Sequence, residues 1–205
     1  MKFFYLSCLA ITFFITACSA SNDRTDKSEE NNKPGSIENT ESYSSVFNKI
    51  NKTAEEEQLN PMYSISEDTT FLYWLGNQII TLNNSTKCNI FALNVLYKAG
   101  FKCPEINTLT YDLMDTSRFK DIFPLINFED ETDLVNKIRP GDLIIWNGHV
   151  IIFESLEKIK ERLYAVAWWA GTRQEDNGEN IINNVIHGKY PLDGNFIVRR
   201  PVASE

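Results

Sequence analysis

The chain has 205 residues, 42% of them hydrophobic and 12% aromatic, which is enough for one domain with a real core plus extra segments. A formal charge of −8, a pI near 4.9 and the lack of any basic stretch argue against nucleic acid as a partner, because phosphate binding depends on Lys and Arg. Only two histidines occur, His149 and His187, and no Cys or His cluster has metal-ligand spacing, so no metal and no other cofactor is expected.

Residues 1–18, MKFFYLSCLAITFFITAC, place Lys2 ahead of an apolar run that extends from residue 3 to 17. The run is short for a membrane span and ends in small residues, as a secretory signal does. Its end, Ile15-Thr16-Ala17-Cys18, resembles the lipobox of bacterial lipoproteins. That resemblance implies removal of residues 1–17, Cys8 included, and acylation of Cys18; the alternative is an ordinary signal peptide with a chance cysteine. Acyl chains bury methylenes in lipid, so the expected location is the bacterial cell envelope, on the periplasmic or surface side of a membrane. Residues 18–42 hold no aromatic residue and a single large aliphatic one, Ile37. They read as a flexible acidic tether, too polar to offset its own ordering entropy.

The folded domain is expected over residues 43–205. Residues 43–60 predict a helix stopped by Asn60-Pro61. Residues 64–82 open with Ser64-x-x-Glu67, a capping-box pattern, and predict a second helix carrying Phe71, Leu72, Trp74 and Leu75. Thr86 is the expected N-cap of the next helix and Gly100 its stop. A short helix is expected within residues 109–118. Another is expected over 130–138, with Asp130, Glu131 and Asp133 at its start. The character changes at Arg139. Pro140-Gly141-Asp142 is turn chemistry, and LIIW, HVIIF, LYAVAWW and NFIVRR read as strands. Asn147-Gly148 signals a two-residue hairpin between the first two. Helices followed by an antiparallel meander predict an α+β domain.

Cys88 opens the helix expected after Thr86, at the N-terminal end of an apolar stripe formed by Phe91, Ala92, Val95, Leu96 and Ala99. Three roles compete for it. It fits a core cysteine. A disulfide to Cys103 suits an exported protein, but the helix separates the two by roughly 18 Å, and bridging needs Cα atoms within about 7 Å. The third role is a nucleophile, since a thiol in a first helical turn feels the positive end of the dipole and is expected to be accessible, with a lowered pKa. A nucleophile needs a base. His149 follows the Asn147-Gly148 turn at the edge of the expected sheet, where a purely structural histidine is equally at home.

The two segments KCNIFALNVLYKAG and RPGDLIIWNGHVIIFE together resemble the NlpC/P60 and CHAP cysteine peptidase-amidases over about residues 63–170. The resemblance implies a papain-like fold in which Cys88 is the nucleophile, His149 the base, and Pro140, Gly141, Asp142 and Gly148 the framing residues. It also implies hydrolysis of amide bonds in peptidoglycan stem peptides by a protein acting as a monomer. Tyr73 lies near where the family keeps an active-site tyrosine, though a core tyrosine fits equally. Of Trp168 and Trp169, which alternate faces on a strand, one is expected in the core and the other lining a cleft.

The chain departs from the family at Lys87 and Asn89, which flank the cysteine, and at the residue that orients the histidine. If the strands pair across residues 155–161, His149 lies opposite about Ala167, and residues 165–170 hold no polar acceptor. The third catalytic residue is therefore unknown. Glu154, Asp176, His187 or a backbone carbonyl is left to hold the distal ring nitrogen, with a carbonyl or water expected. A distal nitrogen facing only apolar atoms would count for the other class of function: a non-catalytic lipoprotein that keeps the fold and binds wall peptides or a protein. An acyltransferase on the same Cys-His geometry is a third, remoter possibility.

Overall fold

The first helix, α1 (Glu38–Gln58), begins ahead of residue 43, so the end of the expected tether is helical. The computed structural model describes residues 38–64, 69–74, 78–83, 87–174 and 181–204. The expectations for residues 1–17, Cys18, Glu67, Thr86, Asp176 and the side chain of Tyr73 lie outside the described residues. After α1, Asn60 caps a short 3₁₀ turn, Pro61–Tyr63, its side-chain oxygen accepting the Met62 N–H at 3.1 Å.

The helix expected over residues 64–82 is instead a hairpin. Strands β1 (Thr69–Trp74) and β2 (Gln78–Asn83) pair antiparallel, Thr69 opposite Asn83 and Trp74 opposite Gln78. TTFLYW and QIITLN are rich in β-branched and aromatic residues, which pack better on a pleated surface than against a helical turn. That preference outweighs the capping-box pattern.

Helix α2 (Cys88–Lys98) forms as expected, but its cap position is Lys87, with no side-chain cap bond. Nor does it expose a polar face over its first turns: Cys88 to Leu96 are all buried, Asn89 and Asn94 included. One side of the helix meets α1 and the 3₁₀ turn, the other meets the sheet. Gly100 ends it at φ +88, where Phe101 N–H reaches back to Leu96 O at 3.0 Å. The short helices follow expectation as α3 (Thr110–Met114) and α4 (Glu131–Lys137), the latter capped by Asp130.

The main sheet has the order β3-β8-β4-β5-β6-β7 and antiparallel pairing throughout. Its strands are β3 (Leu125–Ile126), β4 (Leu143–Trp146), β5 (His149–Ile159), β6 (Arg162–Gln174), β7 (Ile181–Pro191) and β8 (Ile197–Arg199). β7 was not anticipated, since Asn183 and Asn184 interrupt its apolar pattern; it pairs along β6 from Tyr164–Pro191 to Gln174–Ile181. The segment read as a 155–161 loop is also strand. β5 and β6 run on until Ile159 meets Arg162, with a bulge between Phe153 and Ser155. Phe153, not His149, therefore lies opposite Ala167.

The sheet carries a core on each face. Leu143, Ile145, Val150, Ile152, Trp168 and Ala170 pack with α2, while Ile144, Ile151, Phe153, Ala167 and Trp169 form the opposite core. The fold is α+β, mixing helices with antiparallel sheet.

The Pro140-Gly141-Asp142 turn is held from both sides. Gly141 has φ +92, and a Cβ there would come within 2.8 Å of Ile50 Cδ1, so α1 packs directly on it. Asp142 is buried, accepts two bonds of 2.9 Å from Arg200 and takes the Arg139 N–H at 2.8 Å. Burial nevertheless raises its carboxyl pKa more than these partners lower it.

Candidate active site

Helix α2 delivers Cys88 to the mouth of the β4–β5 hairpin. Trp146 pairs with His149 across a two-residue turn, and Gly148 supplies its φ of +95. The Cys88 thiol points at the Gly148 carbonyl oxygen, 3.9 Å away, and takes a backbone N–H from Val150. The thiol thus lies against the backbone on both sides of His149. Two further contacts fix the arrangement. Gly148 N–H donates to Thr110 Oγ1 at 3.0 Å, and Asn89, next to the cysteine, donates to Thr108 O at 2.9 Å. Lys87 is buried as well, its ammonium donating to Met62 O at 2.6 Å and Ser64 O at 3.1 Å. These contacts give the two departures from the family pattern structural partners.

The thiol is not the accessible, low-pKa group expected of it. Cys88 is only 3% exposed. Burial pushes its pKa up, ahead of the lowering by the N–H groups of Val150, Asn89 and Cys88 itself. A helix terminus favours an anion modestly, while desolvation of a thiolate costs more. Cys103 is a separate free thiol that donates to Leu93 O at 3.7 Å, with a pKa pushed up by burial to about 12.

His149 departs further from expectation. It shares the strand alternation of Ile151 and Phe153, on the face away from α2. Its ring stacks on Tyr190, centroids 5.0 Å apart at 27°, and lies 6.3 Å from Trp146. Its Nε2 is buried with no hydrogen-bond partner among the described residues, so the expected carbonyl or other acceptor is not found there. Continuing the β5–β6 register past Ile152–Trp168 sets His149 opposite Gly171, which has no side chain to offer. Burial alone holds the imidazole at about 4, below its ordinary 6.5. Among the described residues no hydrogen bond joins the thiol to the imidazole.

The remaining candidates sort as follows. His187 and Glu154 bond each other at 2.6 Å and neither serves His149. Trp168 and Trp169 are 3% and 4% exposed, one in each core, so neither lines an open cleft. A strand buried on both faces hides both alternating positions. Trp168 instead donates to Asn51 Oδ1 at 2.8 Å. The residue the sequence reading missed is Tyr190. Besides stacking on His149, it is partly buried, which raises its phenol pKa. It sits on the unanticipated β7, and no motif marks it. Among the described residues no three His, Cys, Asp or Glu side chains gather to hold a metal.

No protein-family model, curated protein or solved structure matches the chain. Fold and site therefore define it by chemistry: an α+β protein whose buried cysteine lies against the backbone beside a buried histidine, with the imidazole on the other face of the antiparallel sheet.

Proposed function

We propose that the protein is a papain-like thiol hydrolase of the NlpC/P60 type that cleaves an amide bond in peptidoglycan stem peptides, held to the cell envelope by a lipid on Cys18. The observation that carries this reading is the seat of the Cys88 thiol between Gly148 O and Val150 N–H, flanking His149 across a long stretch of chain. In the reaction His149 takes the thiol proton as sulfur attacks the carbonyl, and the imidazolium returns that proton to the leaving amine. Water then hydrolyses the thioester and regenerates the thiol. The N–H of Cys88, in the first turn of α2 with no i−4 carbonyl, is the candidate oxyanion donor. The resting pair is neutral and the imidazole lies on the sheet face away from α2, so the reaction requires the His149 end of β5 to turn its ring towards the thiol when substrate is seated. A base with so low a pKa makes a slow enzyme. Mass spectrometry of purified peptidoglycan digested with the protein tests this. New stem-peptide fragments, absent with Cys88→Ala, are expected, and identical fragment patterns for the two proteins refute it.

One observation favours a second reading. A buried Nε2 without partner and a desolvated thiol suit a non-catalytic lipoprotein that binds wall peptides or a protein partner on the same fold. Peptide binding that survives Cys88→Ala, without fragments from either protein, selects that reading.

A further inference from the structure

An imidazole base needs its ring plane held and its charged form stabilised, and in a cysteine–histidine site both tasks usually fall to a hydrogen-bond acceptor on the distal nitrogen. His149 has none. What does touch the ring is aromatic. The face of Tyr190 lies 5.0 Å from it at 27°. Tyr190 is itself wedged: Trp169 meets it edge-on at 5.3 Å and 77°, and Trp146 packs at 5.2 Å. Trp146 is anchored in turn by its indole N–H to Asp193 O at 2.8 Å and by Phe196 at 5.4 Å. These rings come from β4, from β6, from β7 and from the segment before β8, so the imidazole rests on a scaffold that four parts of the chain make rigid.

We propose that Tyr190 is the positioning residue for His149: its ring face fixes the imidazole plane and stabilises the imidazolium formed when the thiol proton is transferred, in place of a hydrogen-bonded third residue. A stacked ring restrains tilt but still lets the imidazole turn within its own plane. A π face attracts a cation and gains most when the site is desolvated, as this one is. The stack thus strengthens as the histidine charges, the moment at which an acceptor would otherwise be needed. The phenol hydroxyl is not required for either task.

The inference rests on the hydrolase reading for its catalytic half but not for its structural half, and the test separates them. In the full-length protein with His187→Gln, the one remaining histidine is His149, and its ring protons report directly by NMR. Stacking on Tyr190 shifts them upfield. Tyr190→Phe should keep that shift and keep kcat within about twofold of the parent. Tyr190→Leu should lose the shift and lower kcat at least tenfold, with KM nearly unchanged. Near-UV circular dichroism of the tryptophans checks that the Leu variant is folded; if it is not, Tyr190→Trp, which keeps an aromatic face, must retain the shift and measurable kcat. An unshifted His149 in the parent, or Leu and Phe variants alike in shift and kcat, overturns the proposal. Ring shifts that respond as expected in a protein that cuts nothing would sustain the positioning and remove the hydrolase reading instead.

Discussion

The two histidines of this chain are opposites. His187, on β7, is partly exposed, stacks on Trp168 at 4.2 Å and has a carboxylate, Glu154, 2.6 Å from its Nε2. It has the acceptor and the aromatic face that orient a catalytic base, yet among the described residues no thiol accompanies it. His149 has the thiol beside its backbone and an aromatic face, but its Nε2 is buried without a partner. An oriented histidine and a histidine whose backbone abuts a thiol are separate achievements, and here the tertiary structure divides them between two sites. The acceptor went where water can still reach the pair. The thiol went where α2 closes the sheet off from solvent.

The largest effect that tests this contrast is on activity. Cys88→Ala should abolish hydrolysis of peptidoglycan peptides, and His149→Ala should lower kcat by on the order of 10²–10⁴. His187→Ala should leave the rate within about twofold; a His187→Ala protein as dead as His149→Ala would assign the base to the wrong histidine.

Stability against pH comes next. Folding lowers the proton affinity of His149, from its ordinary 6.5 to about 4. Its contribution is therefore whole above pH 6.5 and is lost as pH falls through that window, about 3 kcal/mol in all. Urea unfolding at pH 7 and pH 4 measures the loss. His149→Leu should remove this part of the acid sensitivity and cost little at pH 7, because it also removes an unpaired buried nitrogen. His187→Leu should keep it. Equal acid sensitivity in wild type and His149→Leu would show that the imidazole is not buried as described.

Thiol reactivity sharpens the other half of the site. Burial raises the Cys88 pKa, so its alkylation by iodoacetamide should rise with pH through a midpoint above that of free cysteine, about 8.5. A midpoint below that value would restore the accessible thiolate expected from the helix start alone. The smallest effect belongs to the exposed pair: Glu154→Gln should cost no more than about 1 kcal/mol, and less in high salt. A larger loss in chemical denaturation would mean that the His187–Glu154 pair is structural.

Local chemistry was legible where one segment decides its own conformation. Asn60-Pro61 stops α1, Gly100 closes α2, Asp130 caps α4, and Asn147-Gly148 turns β4 into β5. Each signal acts within a few residues, so no distant partner can overrule it cheaply. The pair Cys88 and His149 was legible for a related reason, as a helix start and a strand start can each be read alone. The hairpin of β1 and β2 was not. Phe71, Leu72, Trp74 and Leu75 satisfy a helical stripe, and only pairing of Thr69–Trp74 with Gln78–Asn83 reveals the strand. Strand β7 was missed because its pattern of Asn183, Asn184 and Lys189 makes sense only beside β6.

By itself, then, the amino-acid sequence determined the turns, the helix that starts at Cys88 and the strand that starts at His149. The tertiary structure alone decided how the thiol and the imidazole stand to each other, on opposite faces of the sheet. One bulge between Phe153 and Ser155 sets the β5–β6 register, and that register, continued past Ile152–Trp168, sets Gly171 rather than Ala167 opposite His149. The packing of α2 under the sheet, with α1 behind it, makes Cys88 a desolvated thiol despite its place at a helix start. Burial and register are sums over contacts from the whole chain, whereas a cap or a turn is settled by its neighbours. That is why Tyr190, far along the chain on β7, comes to lie on the imidazole without any local residue announcing it.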